Sequence, residues 1–74
     1  MPALANANRR DRVIRALQRA GFEVHQGANH VVMVHGETKR RAVIPRHPTV
    51  KPNLLRAILK ECGVSEREYL ELYR

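Results

Sequence analysis

The side chains best suited to chemistry in this sequence are histidines in a strongly basic setting. There are four of them, and fourteen Lys and Arg stand against seven Asp and Glu. No carboxylate pair, glycine-rich phosphate loop or HExxH-like spacing is present, so a metal site has little support. What remains is histidine plus cation, which suits metal-free RNA cleavage. An imidazole can take the proton of a ribose 2′-OH, and Lys or Arg can stabilise the charge on the phosphorane.

The positive charge is concentrated in the middle of the chain. Residues 39–60 carry seven Lys and Arg and no acid, whereas residues 61–74 carry four Glu against two Arg. The alternative is a solubility charge spread around the surface, but an acid-free stretch of this length favours one electropositive face. With a net charge of +7, the expected partner is anionic, most simply a nucleic acid.

Length and composition bound the class of protein. Seventy-four residues with 43% hydrophobic and 4% aromatic side chains predict one small domain over residues 1–74 with a thin aliphatic core. A single cysteine, Cys62, excludes an internal disulfide and a zinc quartet. No apolar run approaches the roughly 20 residues of a membrane span, and no signal-peptide core precedes residue 20. We therefore expect a reduced, cytoplasmic protein with no membrane partner.

The first part of the chain predicts an amphipathic helix. Residues 1–8 are small and polar, and we expect them to be frayed, with Asn8 as the N-cap of a helix over 9–20 that stops at Gly21. One face of this helix is apolar, and the opposite face carries four arginines, Arg9, Arg12, Arg15 and Arg19. Such a stripe is more often a solvated face than a phosphate-binding one.

The rest of the chain predicts strands followed by helices. Alternation and β-branched residues indicate strands over 22–26, 30–35 and 39–44. A helix follows with Pro52 as its first residue and Gly63 as its stop, and Ser65 opens a short last helix over 66–73. The order is α-β-β-β-α(-α). We predict an α+β fold of two layers, a three-stranded antiparallel sheet covered by helices, like the double-stranded RNA-binding fold.

The expected hairpin register brings two short segments to one end of the sheet. With a turn centred on Gly36-Glu37, His30 lies opposite Val43, and Gly27 lies opposite Arg46. A slip of one or two residues would not separate the glycine turn before His30 from the Pro-Arg-His segment. We expect both at the same end.

Four sequence motifs in order resemble a known family. They are Ala20-Gly21-Phe22 after the first helix, Gly27-Ala28-Asn29-His30 at the start of a strand, Val43-Ile44-Pro45-Arg46-His47-Pro48, and Leu55-Arg56-Ala57-Ile58-Leu59-Lys60 followed by Gly63-Val64-Ser65. Over about residues 10 to 66 the chain resembles the HicA family of mRNA interferase toxins, of type II toxin–antitoxin systems. The resemblance implies a double-stranded RNA-binding-like fold and cleavage of mRNA without metal or cofactor. It also implies His30 as the catalytic residue and neutralisation by a HicB antitoxin.

Further residues are candidates for RNA binding around that histidine. They are Gly27, Ala28, Asn29, Arg41, Arg46, His47 and Lys51. Ala28 departs from the family, which usually has serine after the glycine. That departure keeps open a second hypothesis, a non-catalytic RNA-binding module of the same fold. A third is a DNA-binding protein, since basic charge alone does not distinguish nucleic acids.

The remaining notable side chains have ordinary structural interpretations. We interpret His25 and His35 as surface strand or turn residues, and Phe22 and the two tyrosines as packing residues. Cys62, on the apolar stripe of its helix, is expected to be a buried hydrophobic residue with no redox role.

Overall fold

The computed structural model describes residue 4 and residues 7–27 and 30–74. Within those residues the elements follow the predicted order: α1 (Arg10–Arg19), β1 (Phe22–Gln26), β2 (Val31–His35), β3 (Arg41–Ile44), α2 (Pro52–Cys62) and α3 (Glu66–Tyr73). The predicted α+β class with one antiparallel sheet is confirmed. Among these helices none is long and apolar enough to cross a membrane.

The sheet has one covered face and one open face. Its strand order is β1-β2-β3, and both neighbouring pairs are antiparallel. Alternate residues such as Phe22, Met33 and Ile44 point into the core beneath the helices and are buried. Their neighbours on the opposite face include Arg41 and Val43, which are exposed. This period of two is the pattern from which β1 was predicted.

The hairpin between β2 and β3 differs from the predicted register by two residues. Val32 pairs with Val43, so the centre of the connection lies between Glu37 and Thr38 rather than at Gly36-Glu37. His35 donates its main-chain N–H to the Arg40 oxygen and accepts from Lys39 N–H. The turn therefore spans four residues, 36–39, and the pairing of His30 with Val43 is wrong. Continued beyond the strands, the register places His30 opposite Pro45.

The predicted N-cap of the first helix is also wrong. The N-cap is Arg9, and it provides no side-chain hydrogen bond. Asn8 instead pairs with Val50 on the segment before α2: its side-chain Nδ2 donates to the Val50 oxygen at 2.8 Å, and its own carbonyl accepts from Val50 N–H. Asn8 thus joins two distant parts of the chain, a use that local sequence does not reveal.

The last helix is anchored to the first residues of the chain. The Ser65 hydroxyl accepts from Glu68 N–H at 3.1 Å, which confirms that Ser65 opens this helix as its N-cap. Tyr69 of α3 is fully buried, and its hydroxyl donates to the Ala7 carbonyl. Burial raises the pKa of this phenol well above its usual range. Leu4 and Ala7 belong to the core, so the fraying expected over residues 1–8 does not hold at these two positions.

Candidate active site

His30 and the Pro-Arg-His segment line one open groove at an end of the sheet. The groove has a volume of about 540 Å³, and its lining residues are His30, Val43, Pro45, Arg46, His47 and Leu54. The expectation that the two segments meet is confirmed despite the shifted register. A slip of two residues displaces a strand by roughly 7 Å, which is too little to move either segment to the other end.

The backbone around His30 is set by a close approach of Gly27. Gly27 N–H donates to the His30 carbonyl oxygen at 2.8 Å, which extends the β1–β2 hairpin by one hydrogen bond. A Cβ atom on residue 27 would lie 2.8 Å from that same oxygen, closer than non-bonded atoms allow. Glycine is therefore needed at position 27 to hold the main chain of His30 in place. Ala28 and Asn29, predicted to bind RNA, lie outside the described residues.

The His30 imidazole is open to solvent. Its side chain is exposed, and it makes no hydrogen bond or ion pair with any residue that the structure describes. A histidine in that state can exchange protons with a bound substrate, because no internal partner holds its ring nitrogens. The ring is held through its main chain, by Gly27 and by the strand that follows.

Arg46 and His47 form a ridge between two grooves. Both line the groove with His30, and both also line a second one whose cations include Arg9 and Arg10. Asp11 is the one acid that lines this second groove among the described residues. The ridge thus presents positive charge on both of its sides, as a phosphate-bearing ligand requires.

Arg10 is a positioning residue that the sequence reasoning missed. Its Nε donates to the Pro45 carbonyl at 2.8 Å, which ties α1 to the start of the ridge. A signal was available: Arg10 precedes Val13, Ile14 and Leu17 by three, four and seven residues, so it lies on the apolar face of α1. A charged residue on that face calls for a specific internal partner.

Two of the predicted RNA-binding residues are not in this groove. Arg41 lies on the open sheet face opposite Val34 of β2, and Lys51 is the exposed N-cap of α2. Neither lines the groove with His30 or the one beyond the ridge. Their predicted contacts with RNA would require a substrate that extends along the surface.

The arginine stripe of α1 is partly used inside the molecule. Arg12 donates to the Tyr73 carbonyl at 2.8 Å, with its guanidinium 4.4 Å from the centre of the Tyr73 ring. Arg19 donates to the carbonyls of Leu72 and Arg74. Cations at the C-terminal end of a helix are stabilising. These two arginines therefore hold α3 against α1, and the stripe is not simply a solvated face.

The other histidines and the cysteine fit their structural interpretations. His35 packs edge-on against Phe22, and His25 is exposed with its Nε2 3.7 Å from Glu23. Cys62 is buried, and burial raises the pKa of its thiol to about 11. Within residues 7–27 and 30–74, no three His, Cys, Asp or Glu side chains are grouped closely enough to hold a metal ion.

Comparison with known proteins places residues 10–64 in one family model, described as the HicA toxin of bacterial toxin–antitoxin systems. Two relatives are the probable mRNA interferase HicA of Escherichia coli O157:H7 and the probable mRNA interferase toxin HicA of Escherichia coli strain K12. Each is 44% identical over 54 residues, which cover 69% of this chain and 88% of the relative. The matched region includes α1, β1 to β3, α2 and every lining residue of the groove with His30, and it ends before α3.

Proposed function

Because the chain belongs to the HicA toxin family of bacterial toxin–antitoxin systems, we propose that it is an endoribonuclease that cuts mRNA with His30 as its acid–base residue. The observation that carries the proposal is the placement of an exposed His30 in one groove with Arg46 and His47. Both relatives are named as probable mRNA interferases, which supports mRNA as the substrate. The family name confirms the resemblance on which the sequence-based prediction of function rested.

The proposed reaction is an internal transfer at the phosphodiester. His30 takes the proton of the ribose 2′-OH, and the 2′-oxygen forms a bond to phosphorus as the bond from phosphorus to the 5′-oxygen breaks. The departing 5′-oxygen takes up a proton from solvent, so the products are a 2′,3′-cyclic phosphate and a 5′-OH, and His30 then releases its proton to solvent. Arg46 supplies fixed positive charge where the phosphorane becomes more negative.

His47 has a less direct role in this proposal. It lines the same groove as His30, but it also faces the second groove across the ridge. We assign it to binding the RNA backbone, together with Arg46. Proton transfer at the scissile phosphate then depends on His30, and cleavage proceeds without a metal ion, since imidazole and guanidinium supply both proton transfer and charge.

The proposed protein partner is a HicB-type antitoxin, and the proposed location is the cytoplasm, where mRNA is translated. The family description pairs the toxin with an antitoxin. Residues 39–60 carry seven basic side chains and no acid, which would attract an acidic protein as well as RNA. An antitoxin that covers this surface would exclude mRNA from the groove.

Cleavage of a purified mRNA in the presence of EDTA tests the enzymatic proposal. We expect His30→Ala to reduce the rate by about 10²- to 10⁴-fold, the usual contribution of a positioned acid–base group. The matched control is His25→Ala, since His25 is also exposed but lines neither groove. The parent's fragments should carry a 5′-OH that a kinase labels directly. Equal cleavage by the parent and His30→Ala would reject the assignment, and loss of cleavage in EDTA would reject its metal independence.

A non-catalytic RNA-binding role is the second candidate, and Ala28 is the observation that favours it. The family usually has a serine at this position, beside the histidine. Induction of the chain in a bacterial host distinguishes the two roles, because a nuclease should arrest growth and a binder should not. Ala28→Ser then reports whether the missing hydroxyl matters: arrest only with the serine would support the binding role.

A further inference from the structure

The groove beside His30 has an apolar wall that proton transfer at a phosphate does not use. Val43 is 48% exposed and Leu54 is 42% exposed, and they are the most exposed large hydrophobic side chains in the described part of the chain. Both line this groove, Val43 from the open face of β3 and Leu54 from the first turn of α2. Exposed apolar surface collected at one place indicates a ligand with an apolar surface of its own.

The rest of the groove indicates what else that ligand carries. Arg46 and His47 provide its polar side, and no Asp or Glu is among its described lining residues. The ligand must therefore combine a flat or apolar part with an anionic part. A nucleotide does so: its base can lie on Val43 and Leu54 while its phosphate meets Arg46.

The second groove continues this arrangement beyond the ridge. Arg9, Arg10 and Gln26 line it, and it is more polar than the groove with His30. An RNA strand that crosses the ridge would have its backbone among the arginines on one side and a base on the apolar wall on the other. Ile14, Val24 and Val31 also line the second groove, but they are half-buried or buried. Among the described residues, the exposed large hydrophobic side chains, Val43 and Leu54, both line the groove with His30.

The pairing state of the base on this apolar wall follows from this geometry. In a double helix the bases are stacked and paired, and proteins meet mainly phosphates and 2′-hydroxyls. A duplex would leave Val43 and Leu54 against solvent or sugar, with no base to cover them. We propose that Val43 and Leu54 form a subsite for one unpaired nucleobase beside the scissile phosphate. This inference rests on the proposed nuclease function and adds a base-binding subsite to it.

Binding of a fully 2′-O-methylated RNA oligonucleotide tests the subsite, since a blocked 2′-oxygen cannot attack. The unstructured strand and the same strand annealed to its complement are titrated at one fixed salt concentration. The double variant Val43→Thr/Leu54→Gln keeps similar side-chain sizes and removes the apolar surface. We expect it to weaken binding of the single strand about five- to tenfold, as loss of a base contact does, and binding of the duplex less than twofold.

Val34→Thr is the matched control, because Val34 lies on the same open sheet face but lines neither groove. It should leave both affinities unchanged. Equal losses on single strand and duplex, or no loss on either, would overturn the subsite. Should the double variant fail to fold by circular dichroism, each single variant repeats the test at an exposed position.

Failure of the subsite and failure of the nuclease proposal give different results. If His30→Ala abolishes cleavage while the double variant binds and cuts as the parent does, the nuclease proposal stands without the base subsite. If His30→Ala cuts as the parent does, the assignment of His30 fails, whatever the oligonucleotides show.

Discussion

Strand β2 has a histidine at each end, and the two are used in opposite ways. His35, its last residue, is half-buried and packs edge-on against Phe22, with ring centres 5.0 Å apart. Its Nδ1 accepts hydrogen bonds from the main-chain N–H groups of Glu37 and Thr38, at 3.1 and 3.2 Å. Its ring proton is therefore on Nε2, and the imidazole serves as part of the turn.

His30, directly before β2, has none of these attachments. It is exposed, its imidazole is without a hydrogen-bond partner among the described residues, and its neighbours are a cationic ridge and an apolar wall. The difference shows that residue type does not distinguish a histidine used for folding from one available for chemistry. What distinguishes the two histidines is whether their ring nitrogens have hydrogen-bond partners within the protein. A substitution at the His30 end should change activity, and one at the His35 end should change stability.

After His30→Ala, the largest expected effect comes from the arginines at the two ends of the hairpin. Arg46→Ala should reduce the cleavage rate about 10- to 100-fold, because it removes the positive charge beside the scissile phosphate. Arg40→Ala should change it less than about twofold. Arg40 is exposed near the His35 end, and its contact there is a 3.3 Å hydrogen bond to the Glu61 carbonyl. Single-turnover cleavage at saturating protein measures the rates of the two variants. Similar losses in the two variants would mean that overall positive charge, not the ridge, drives the reaction.

The second prediction concerns the free energy of unfolding instead of the cleavage rate. His35→Ala should lower the free energy of unfolding by about 1–2 kcal/mol, because the edge-on contact with Phe22 and two turn hydrogen bonds are lost. His30→Ala should change it by less than about 0.5 kcal/mol, as for an exposed side chain without internal partners. Urea unfolding measures both. If His30→Ala destabilises the protein as much as His35→Ala does, the assignment of different roles to the two histidines is wrong.

Much of this arrangement could be predicted from the sequence because it depends on patterns that are local or robust. Period-two alternation located β1, and Pro52 and Gly63 set the ends of α2. The meeting of His30 with Pro45-Arg46-His47 survived a register error of two residues, since both segments follow the ends of paired strands. A site at one end of a sheet is insensitive to such a slip.

What could not be predicted depends on side chains that bond far from their own position. The four-residue turn is held by the His35 imidazole, whereas propensity favours the shorter turn at Gly36-Glu37. Asn8 has a strong N-cap preference but pairs with Val50 instead. The Arg10 bond to Pro45 joins residues 35 positions apart. Each of these needs a partner that only the folded chain supplies.

The third prediction tests whether the His35 end is packed as one unit. Gly21 has a φ of 101°, and a Cβ there would lie 2.8 Å from His35 Nε2. Gly21→Ala should therefore be destabilising, but about 1 kcal/mol less so in the His35→Ala background, since the clash is gone and only backbone strain remains. A double-mutant cycle from urea unfolding gives this coupling. Gly27→Ala, where a Cβ would also lie 2.8 Å from another atom but at the other end of the hairpin, against the His30 oxygen, should show none with His35. Additive effects at Gly21 would contradict the contact.

The smallest effect concerns Cys62, which lies at the His35 end with Arg40. Burial raises the pKa of its thiol to about 11 in the folded protein, with a smaller contribution from the Glu61 carboxylate. In the unfolded chain the thiol ionises near pH 8.5, so the unfolded state loses its proton first and stability falls as the pH rises above that value. Between pH 8 and 9 the parent should lose about 0.7 kcal/mol more than Cys62→Ala does. Parallel urea titrations at the two pH values measure the difference, and equal pH dependence in parent and variant would show that the buried thiol does not contribute.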